Sequence, residues 1–354
     1  MKTKITILVS LYVILSCAGF ATVRTVSNHP LGGAQYSTLT DAYNAAANGD
    51  TLLIEGTAAN YNMPYCYSFS KSLVVIGQGI NTAKQNFFRT SISSTGFYCP
   101  FGISPGGNGS KFYGINFNFM GINLGGGVSN ITFENCLFEY PVTIGDGGGN
   151  PVSNIVYKNC IFTGTGGASI SLVEAVNNLL FSNCIFNSNI HGDNAANQFV
   201  TIDHCLFLST VSSFDACVGY QIKNSIFMNT TSYTGMSNGT MQSNISRIMT
   251  GMFPPSDFTD LGGNLNGADP LFVNYTFGAP YSPAHNYHLQ GGSPAIGTAS
   301  DSTDIGVHGG FTKFSEKGEP LNTPVMRAMV IQNTTVAPNG ILHVQVEASK
   351  PNDN

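Results

Sequence analysis

Five stretches of this chain align without gaps and decide its fold: NITFENCLF (130–138), NIVYKNCIF (154–162), NLLFSNCIF (178–186), FVTIDHCLF (199–207) and GYQIKNSIF (219–227). Each stretch alternates apolar and polar residues, reaches an Asn or His, and ends in a short apolar run, which predicts strand, tight bend and strand. The bend residues lie 24, 24, 21 and 20 positions apart, at Asn135, Asn159, Asn183, His204 and Asn224. This period, without a helix-length segment, predicts that each repeat is one coil of a parallel β-solenoid.

Equivalent residues of successive coils should stack into columns, because parallel strands pair about 4.8 Å apart. One aromatic column runs from Phe138 to Phe227. Asn suits the bend because it tolerates left-handed backbone. Strict alternation cannot turn the Cys, the Ile or Leu, and the Phe of each unit all inward. One of these columns must therefore face outward or be covered, and the pattern does not say which.

The composition agrees with a large β protein rich in turns. Only 33 of 354 residues are charged, fewer than the 36 Asn, and there are 41 Gly and 16 Pro. These numbers exclude a coiled coil or a helical bundle, while a hydrophobic fraction of 42 % excludes a disordered polar chain.

The first 21 residues have the pattern of a secretory signal peptide: Lys2 and Lys4, an apolar run from Ile5 to Leu15, and small residues before a cleavage after Ala21. The run is short for a membrane anchor, which needs about 20 residues; lipidation at Cys17 is a second alternative. The mature chain, without Lys2 and Lys4, has 12 basic and 19 acidic residues and therefore a formal charge of −7. We therefore expect a secreted or cell-surface protein, monomeric, without a membrane span in the mature chain and without a nucleic-acid partner.

Seven cysteines remain after this cleavage, so at least one is unpaired. Four belong to the repeat and are expected to be free thiols, because stacked side chains of adjacent parallel strands seldom meet the torsion of a disulfide: Cys136, Cys160, Cys184 and Cys205. The pairing favoured for the others joins Cys66 to Cys99, which both lie in Tyr-rich, loop-like stretches outside the repeat.

Both ends of a solenoid need caps. Residues 38–48 predict a short amphipathic helix over the first coil, with Thr38 as its N-cap. Near the other end, residues 324–336 and 340–348 alternate as strands around a turn and predict a hairpin. The predicted organisation is a signal peptide (1–21), a parallel β-helix domain with its N-terminal cap (22–312) and a C-terminal hairpin or tail (313–354).

Two parts of the chain resemble known proteins. QYSTLTDAYNAAANGDTLLIEGTAANY (35–61) is similar to the opening segment of secreted right-handed parallel β-helix proteins, including pectin-modifying enzymes of the pectate-lyase-like superfold. ADPLFVN (268–274), YHLQGGSPAIG (287–297) and DIGVHGG (304–310) resemble the closing segment of bacterial choice-of-anchor surface β-helix proteins. The resemblance implies a right-handed parallel β-helix and export. It does not imply one activity, because that superfold carries lyases, hydrolases, esterases and non-enzymatic surface proteins.

The sequence lacks the catalytic motifs of the pectin-active enzymes. Within the repeat, the charged residues lie in one column, in which Glu134 precedes Lys158 by one coil and Asp203 precedes Lys223 by one coil. We interpret these as exposed ion pairs. The remaining candidates for acid–base chemistry lie in the longer connections, at separations of 17 to 28 residues from one connection to the next, close to the coil period, and would line one side of the solenoid: Asp146, Glu174, His191, Asp193 and Asp215. A cation such as calcium would find oxygen ligands there. The alternative is that these residues form turns in Gly-rich loops.

Tryptophan is absent, so Tyr61, Tyr65, Tyr67 and Tyr98 are candidates for a sugar-binding platform, although packing under loops is the commoner role of Tyr. The function favoured by the sequence is polysaccharide binding or adhesion outside the cell, without an organic cofactor. The alternative is a divergent polysaccharide lyase or glycoside hydrolase that uses the five candidate residues on an extracellular glycan.

Overall fold

The structure is a computed structural model that describes residues 21–349 except 65, 82–87, 95–99, 119–120, 165–167, 193–198, 209–211, 229–231, 235, 249–253, 255, 313, 321–324 and 332–343. Strands of successive coils pair in parallel and form three long sheets along one solenoid. The predicted all-β parallel β-helix is therefore confirmed. The signal-peptide prediction lies on residues 1–21, outside the described part except for Ala21.

The largest sheet has eleven strands: Val23–Val26, Thr51–Ile54, Val74–Ile76, Lys111–Tyr113, Ser129–Glu134, Val152–Lys158, Val176–Ser182, Val200–Asp203, Gln221–Lys223, Gly239–Gln242 and Phe258–Asp260. A second sheet has ten: Tyr61–Met63, Thr90–Ser94, Ile115–Phe117, Leu137–Phe138, Ile161–Phe162, Ile185–Phe186, Leu206–Phe207, Ile226–Phe227, Ile245–Ser246 and Leu265–Asn266. The third has eight: Ser68–Phe69, Phe101–Ile103, Ile122–Leu124, Val142–Ile144, Ile170–Leu172, Ile190–His191, Ser212–Asp215 and Ser232–Thr234.

Two antiparallel pairs follow the coils. Phe272–Asn274 pairs with Asn286–Leu289, and Val325–Ile331 pairs with Val344–Ser349, which confirms the predicted C-terminal hairpin. A short 3₁₀ helix occupies Pro105–Gly107. None of the helices in the described part of the chain has the length and apolar character needed to cross a membrane.

Stacked aromatic rings fill the solenoid. The Phe162 ring lies 4.9 Å from that of Phe138 and 4.8 Å from that of Phe186, both nearly parallel, as the column pattern predicts. A second column places Tyr157 between Phe133 and Phe181, at 5.0 and 5.1 Å. Because such pairs add about 0.5–1.5 kcal/mol each beyond burial, they favour one register between coils.

The repeat cysteines directly follow the bend residues in the chain. All four are fully buried and free, as predicted, and Cys217 is a fifth buried free thiol. Burial raises the pKa of Cys160 and of Cys205 well above the ordinary thiol value, and that of Cys217 to about 11. Cys66 is disulfide-bonded; Cys99, its predicted partner, lies outside the described residues.

The bends have the backbone that the asparagine pattern predicts. Asn135, Asn159 and Asn183 have φ values of 56°, 52° and 53°, and His204 and Asn224 follow with 51° and 53°. These values lie in the left-handed region, where Asn is less strained than most residues. Each bend connects a strand of the eleven-stranded sheet to one of the ten-stranded sheet.

The Ile and Leu of the repeat form the column that faces outward, on the ten-stranded sheet. We call it the covered column, because residues 268–320 (the flank segment) pack over it: Leu137, Ile161, Ile185, Leu206, Ile226 and Ile245. Phe272, Tyr287 and Ile305 are among the flank residues that bury it. The sequence did not show which column faces outward. The structure shows that the Ile and Leu column does, and that another segment of the same chain covers it.

Side chains of the bend residues hold the flank segment in place. Asn183 Nδ2 donates to the carbonyl oxygens of Val307 and Gly309, both at 2.9 Å. Gly306, with φ +98°, comes so close to the covered column that a Cβ there would lie 2.6 Å from Cδ1 of Ile226. Close backbone approach is possible at this point because glycine has no side chain.

The N-terminal coil is closed by a helix at Leu39–Ala45, slightly shorter than predicted. Thr38 caps it by accepting a hydrogen bond from the backbone N–H of Asp41, and Leu39, Ala42 and Tyr43 are buried. Directly after the helix, Asp50 Oδ2 lies 2.9 Å from Nε of Arg24. Burial opposes ionisation of Asp50, but hydrogen bonds from the backbone N–H of Ala47 and Thr22 and from Arg24 hold its pKa below the ordinary value.

Candidate functional site

One outward-facing residue per coil lies on the eight-stranded sheet, because each short strand turns its flanking residues inward. Ile122 and Leu124 are buried on either side of Asn123, and Val142 and Ile144 on either side of Thr143. The outward residues pair in register, coil to coil, and each is half-buried; we call them the polar column: Asn123, Thr143, Ser171, His191 and Asp215.

His191 and Asp215 form the titratable end of the polar column. Nδ1 of His191 lies 2.9 Å from Oδ2 of Asp215, and the two side chains are 44 % and 40 % exposed. Register places Ser171 on the other side of His191, one coil away. A carboxylate on Nδ1 leaves Nε2 of the imidazole available to solvent or substrate, an orientation that suits general acid–base chemistry.

Asp146 and Glu174 lie at a different place, in the loop after each strand, and they hold that loop together. Oδ1 of Asp146 accepts from the backbone N–H of Gly148 at 2.9 Å, and Oε1 of the buried Glu174 accepts from that of Gly149 at 2.7 Å. Hydrogen bonds from the backbone N–H of Gly126 and Gly148 hold the pKa of Asp146 below its usual value. Both carboxylates thus accept hydrogen bonds from the loop backbone, as the alternative of turn residues in Gly-rich loops predicts.

The structure therefore brings together two of the candidate residues, His191 and Asp215, and separates Asp146 and Glu174 from them. Asp193 lies outside the described residues. The sequence reasoning missed the other members of the polar column, Asn123, Thr143 and Ser171. In the sequence each of them is a polar residue between two apolar residues. The connections before these strands differ in length, so the polar residue does not recur at a constant spacing.

The charged column of the repeat lies on the outer face of the eleven-stranded sheet. Nζ of Lys223 is 3.2 Å from Oδ2 of Asp203, and Glu134 pairs in register with Lys158. Lys223 is 41 % exposed, so this pair contributes little, under about 1 kcal/mol. Because the pair lies on a different sheet, it is not part of the polar column.

Two of the four tyrosines proposed as a sugar platform, Tyr61 and Tyr67, lie in the described part of the chain. Tyr61 is buried, and its hydroxyl donates to the carbonyl of Glu55 at 3.0 Å. Tyr67 packs edge-on against Tyr43, with ring centroids 5.2 Å apart. Tyr65 and Tyr98 lie outside the described residues. Tyr61 is therefore unavailable as an exposed sugar platform.

A small cavity of about 190 Å³ lies under the flank segment. The Arg247 guanidinium closes one side, 3.9 Å from the ring centroid of Phe277 and 2.9 Å from Oδ2 of Asp269. Sites for drug-sized ligands usually enclose about 300–1,000 Å³. This cavity is smaller than that range, and Arg247 already has two partners within it.

Comparison with known proteins yields similarity in fold. No family model matches the chain, and no curated protein sequence matches it. Among solved structures, pectate lyase Pel9A is similar at 13 % identity and a TM-score of 0.38, over 81 % of this chain and 96 % of that one. The pectin methylesterase from Aspergillus niger, in deglycosylated form, is similar at 14 % identity and a TM-score of 0.38, over 75 % and 93 %.

Proposed function

We propose that this protein is a secreted or cell-surface β-helix protein that binds or adheres to an extracellular polysaccharide through the polar column. The supporting observation is the column itself: half-buried polar side chains repeat in register, one per coil. Asn, Ser, Thr and His both donate and accept hydrogen bonds, which matches the hydroxyl groups of a sugar chain. The five strands that carry the column are about 4.8 Å apart and span about 19 Å, enough for several sugar residues in an extended chain.

Charge favours a neutral glycan over an acidic one. The full chain carries a formal charge of −5, and His191 has a carboxylate partner, so an acidic polymer would be repelled at low salt. Export rests on the N-terminal sequence pattern, and a choice-of-anchor type of surface location rests on the resemblance of the closing segment. Both belong to this proposal, as does a monomeric state.

The test is retention of the protein on a panel of neutral and acidic polysaccharides, with product formation recorded in the same samples. The combined variant Thr143→Ala/Ser171→Ala/His191→Ala should weaken binding at least about tenfold, because three hydrogen-bonding side chains are lost. The control is Thr132→Ala/Thr201→Ala, on the outer face of the eleven-stranded sheet, which should bind normally. Equal binding by both variants, or binding to no polysaccharide, would refute the proposal.

A second candidate function is catalysis, as a divergent polysaccharide lyase or glycoside hydrolase. The contact between His191 and Asp215 favours it, because a carboxylate-oriented imidazole is a common general base. Cleavage of a glycan that is lost in both His191→Ala and Asp215→Asn, with unchanged thermal unfolding, would establish it. Retention without product would leave binding as the function.

A further inference from the structure

A cluster of two histidines and a glutamate lies in the flank segment, away from the polar column. His288 belongs to the strand Asn286–Leu289, and His308 and Glu316 belong to the loops that follow. One potential ligand atom from each residue lies within 4.8 Å of the others. Oε1 of Glu316 is 3.6 Å from Nδ1 of His288 and 3.9 Å from Nε2 of His308, and the two imidazole rings stack at 3.7 Å.

The burial of the cluster resembles that of a site with one open side. The His308 side chain is 11 % exposed and that of Glu316 22 %, whereas His288, at 47 %, lies at the surface. Two imidazoles and one carboxylate are the donors that zinc and similar transition metals prefer, whereas calcium and magnesium prefer oxygen alone. We propose that His288, His308 and Glu316 bind a divalent transition-metal ion such as zinc, with a water molecule completing the tetrahedron.

Binding requires the two rings to reorient. Ligand atoms that are about 2.0–2.1 Å from a tetrahedral zinc lie roughly 3.3 Å from one another, so atoms now up to 4.8 Å apart must approach. The rings, stacked at 21° to each other, must also tilt so that both nitrogen lone pairs point at one ion, and the exposed His288 side chain is the one with room to turn. Nδ1 of His288 now lies 2.7 Å from Oδ1 of Asn286, a contact that holds a proton on that nitrogen. Metal binding at Nδ1 therefore requires the other tautomer, in which the exposed Nε2 carries the proton, and Asn286 keeps its hydrogen bond from the backbone N–H of His288.

A metal here would strengthen the cover of the solenoid. The turn at Glu316 is tied to an early coil, because Asn81 Nδ2 donates to the Glu316 carbonyl at 3.0 Å. His288 lies in a strand whose partner contributes Phe272 to the cover. Joining these parts through one ion would link distant positions of the flank segment, so binding should stabilise the folded chain.

The experiment uses the full chain after treatment with a chelator, titrated with zinc chloride by calorimetry and followed by thermal unfolding. We expect one zinc ion per chain and a rise in Tm of several degrees, with no rise for calcium or magnesium chloride. His288→Ala should abolish binding and the rise in Tm, and Glu316→Gln should weaken binding at least about tenfold. The control is His285→Ala, in the same segment, whose ring packs against Tyr275 and Tyr287 and not within the cluster.

His288 is the primary position because its exposed side chain leaves folding intact when it is truncated, which circular dichroism without metal would verify. Zinc binding that survives in His288→Ala, or the absence of saturable zinc binding by the unaltered chain, would overturn the proposal. An equal response to calcium would overturn the assignment to a transition metal. None of these outcomes bears on polysaccharide binding, which depends on another face.

Discussion

The outer faces of two sheets in this solenoid have opposite chemistry and opposite surroundings. On the ten-stranded sheet the outward residue of each repeat is Ile or Leu, and the flank segment buries it. On the eight-stranded sheet the outward residue is polar and half-exposed. Apolar side chains face inward on both sheets, whereas the outward side chains differ with their surroundings: apolar under the flank segment and polar towards solvent.

The largest expected effect comes from placing a charge in the covered column. Ile185→Asp would bury an uncompensated carboxylate between the ten-stranded sheet and the flank segment, at a cost of about 3–5 kcal/mol or more. Denaturant unfolding and limited proteolysis would measure the loss. The matched control, Thr143→Asp in the polar column, should change stability by less than about 1 kcal/mol. Similar effects in the two columns would contradict the distinction between the faces.

The next effect tests how the cover is attached. Asn183→Ala removes two hydrogen bonds to buried carbonyls of the flank segment and should cost about 1–3 kcal/mol. Asn178→Ala is the control because Asn178 also has left-handed backbone, with φ 60°, but donates to Asn154 at the surface. Chemical denaturation of both variants separates the strain shared by the two positions from the contact that only Asn183 makes. Equal losses would argue against a role for the bend side chains in attachment.

A smaller effect depends on pH at the same interface. Asp301 Oδ2 lies 3.1 Å from Nε2 of His204, and Oδ1 accepts from the Thr303 hydroxyl at 2.7 Å. Burial opposes ionisation, but the hydrogen bonds from Thr303 and His204 hold the pKa of Asp301 below 3.8. A lowered carboxyl pKa stabilises the fold above the unfolded value and ceases to do so as pH falls through the folded value.

Asp301→Asn should therefore be less stable than the unaltered chain at about pH 7, by about 1 kcal/mol, and the difference should shrink below about pH 4. Urea unfolding at several pH values measures this. A difference that grows as the pH falls would show that the sign is wrong. Asp269→Asn is the control, because Asp269 is 45 % exposed in its pair with Arg247 and lies away from His204, so the loss at about pH 7 should be smaller.

The repeating interior could be predicted from the sequence, whereas most of the candidate site could not, and the difference has a physical reason. The interior positions follow Asn135 and its equivalents at fixed offsets, because a bend of constant geometry precedes them. The polar column follows variable connections: from the column Phe to the outward residue there are five positions at Thr143, nine at Ser171 and five at His191. A loop can change length without disturbing the next strand, so spacing alone could not align Ser171 with His191.

The contact between His191 and Asp215 was within reach of the sequence, since the two residues lie one coil apart, but their separation from Asp146 and Glu174 was not. Two residues lie between Thr143 and Asp146, and two between Ser171 and Glu174, and in each case the strand ends at the first of them. Residues of one coil therefore face different directions. The cluster of His288, His308 and Glu316 was missed because no repeat relates its members, which only the fold of the flank segment brings together.

The smallest expected effect on stability comes from a substitution at the centre of the polar column, Ser171→Ala. This substitution also distinguishes an effect on binding from an effect on folding. Ser171→Ala removes an outward hydroxyl flanked by the buried Ile170 and Leu172, so the strand keeps both of its core contacts. The free energy of unfolding should change by no more than about 0.5 kcal/mol, as for most surface substitutions. Retention on the preferred polysaccharide should fall in the same variant, because the hydroxyl lies in register between Thr143 and His191.

The control is Ile170→Ala, one residue away and fully buried. This variant should lose about 2–4 kcal/mol of stability, measured by denaturant unfolding, while the fraction that remains folded still binds the polysaccharide. If Ser171→Ala unfolds the protein or leaves retention unchanged, the polar column is not a binding surface, and the distinction between the two outer faces would be one of cover alone.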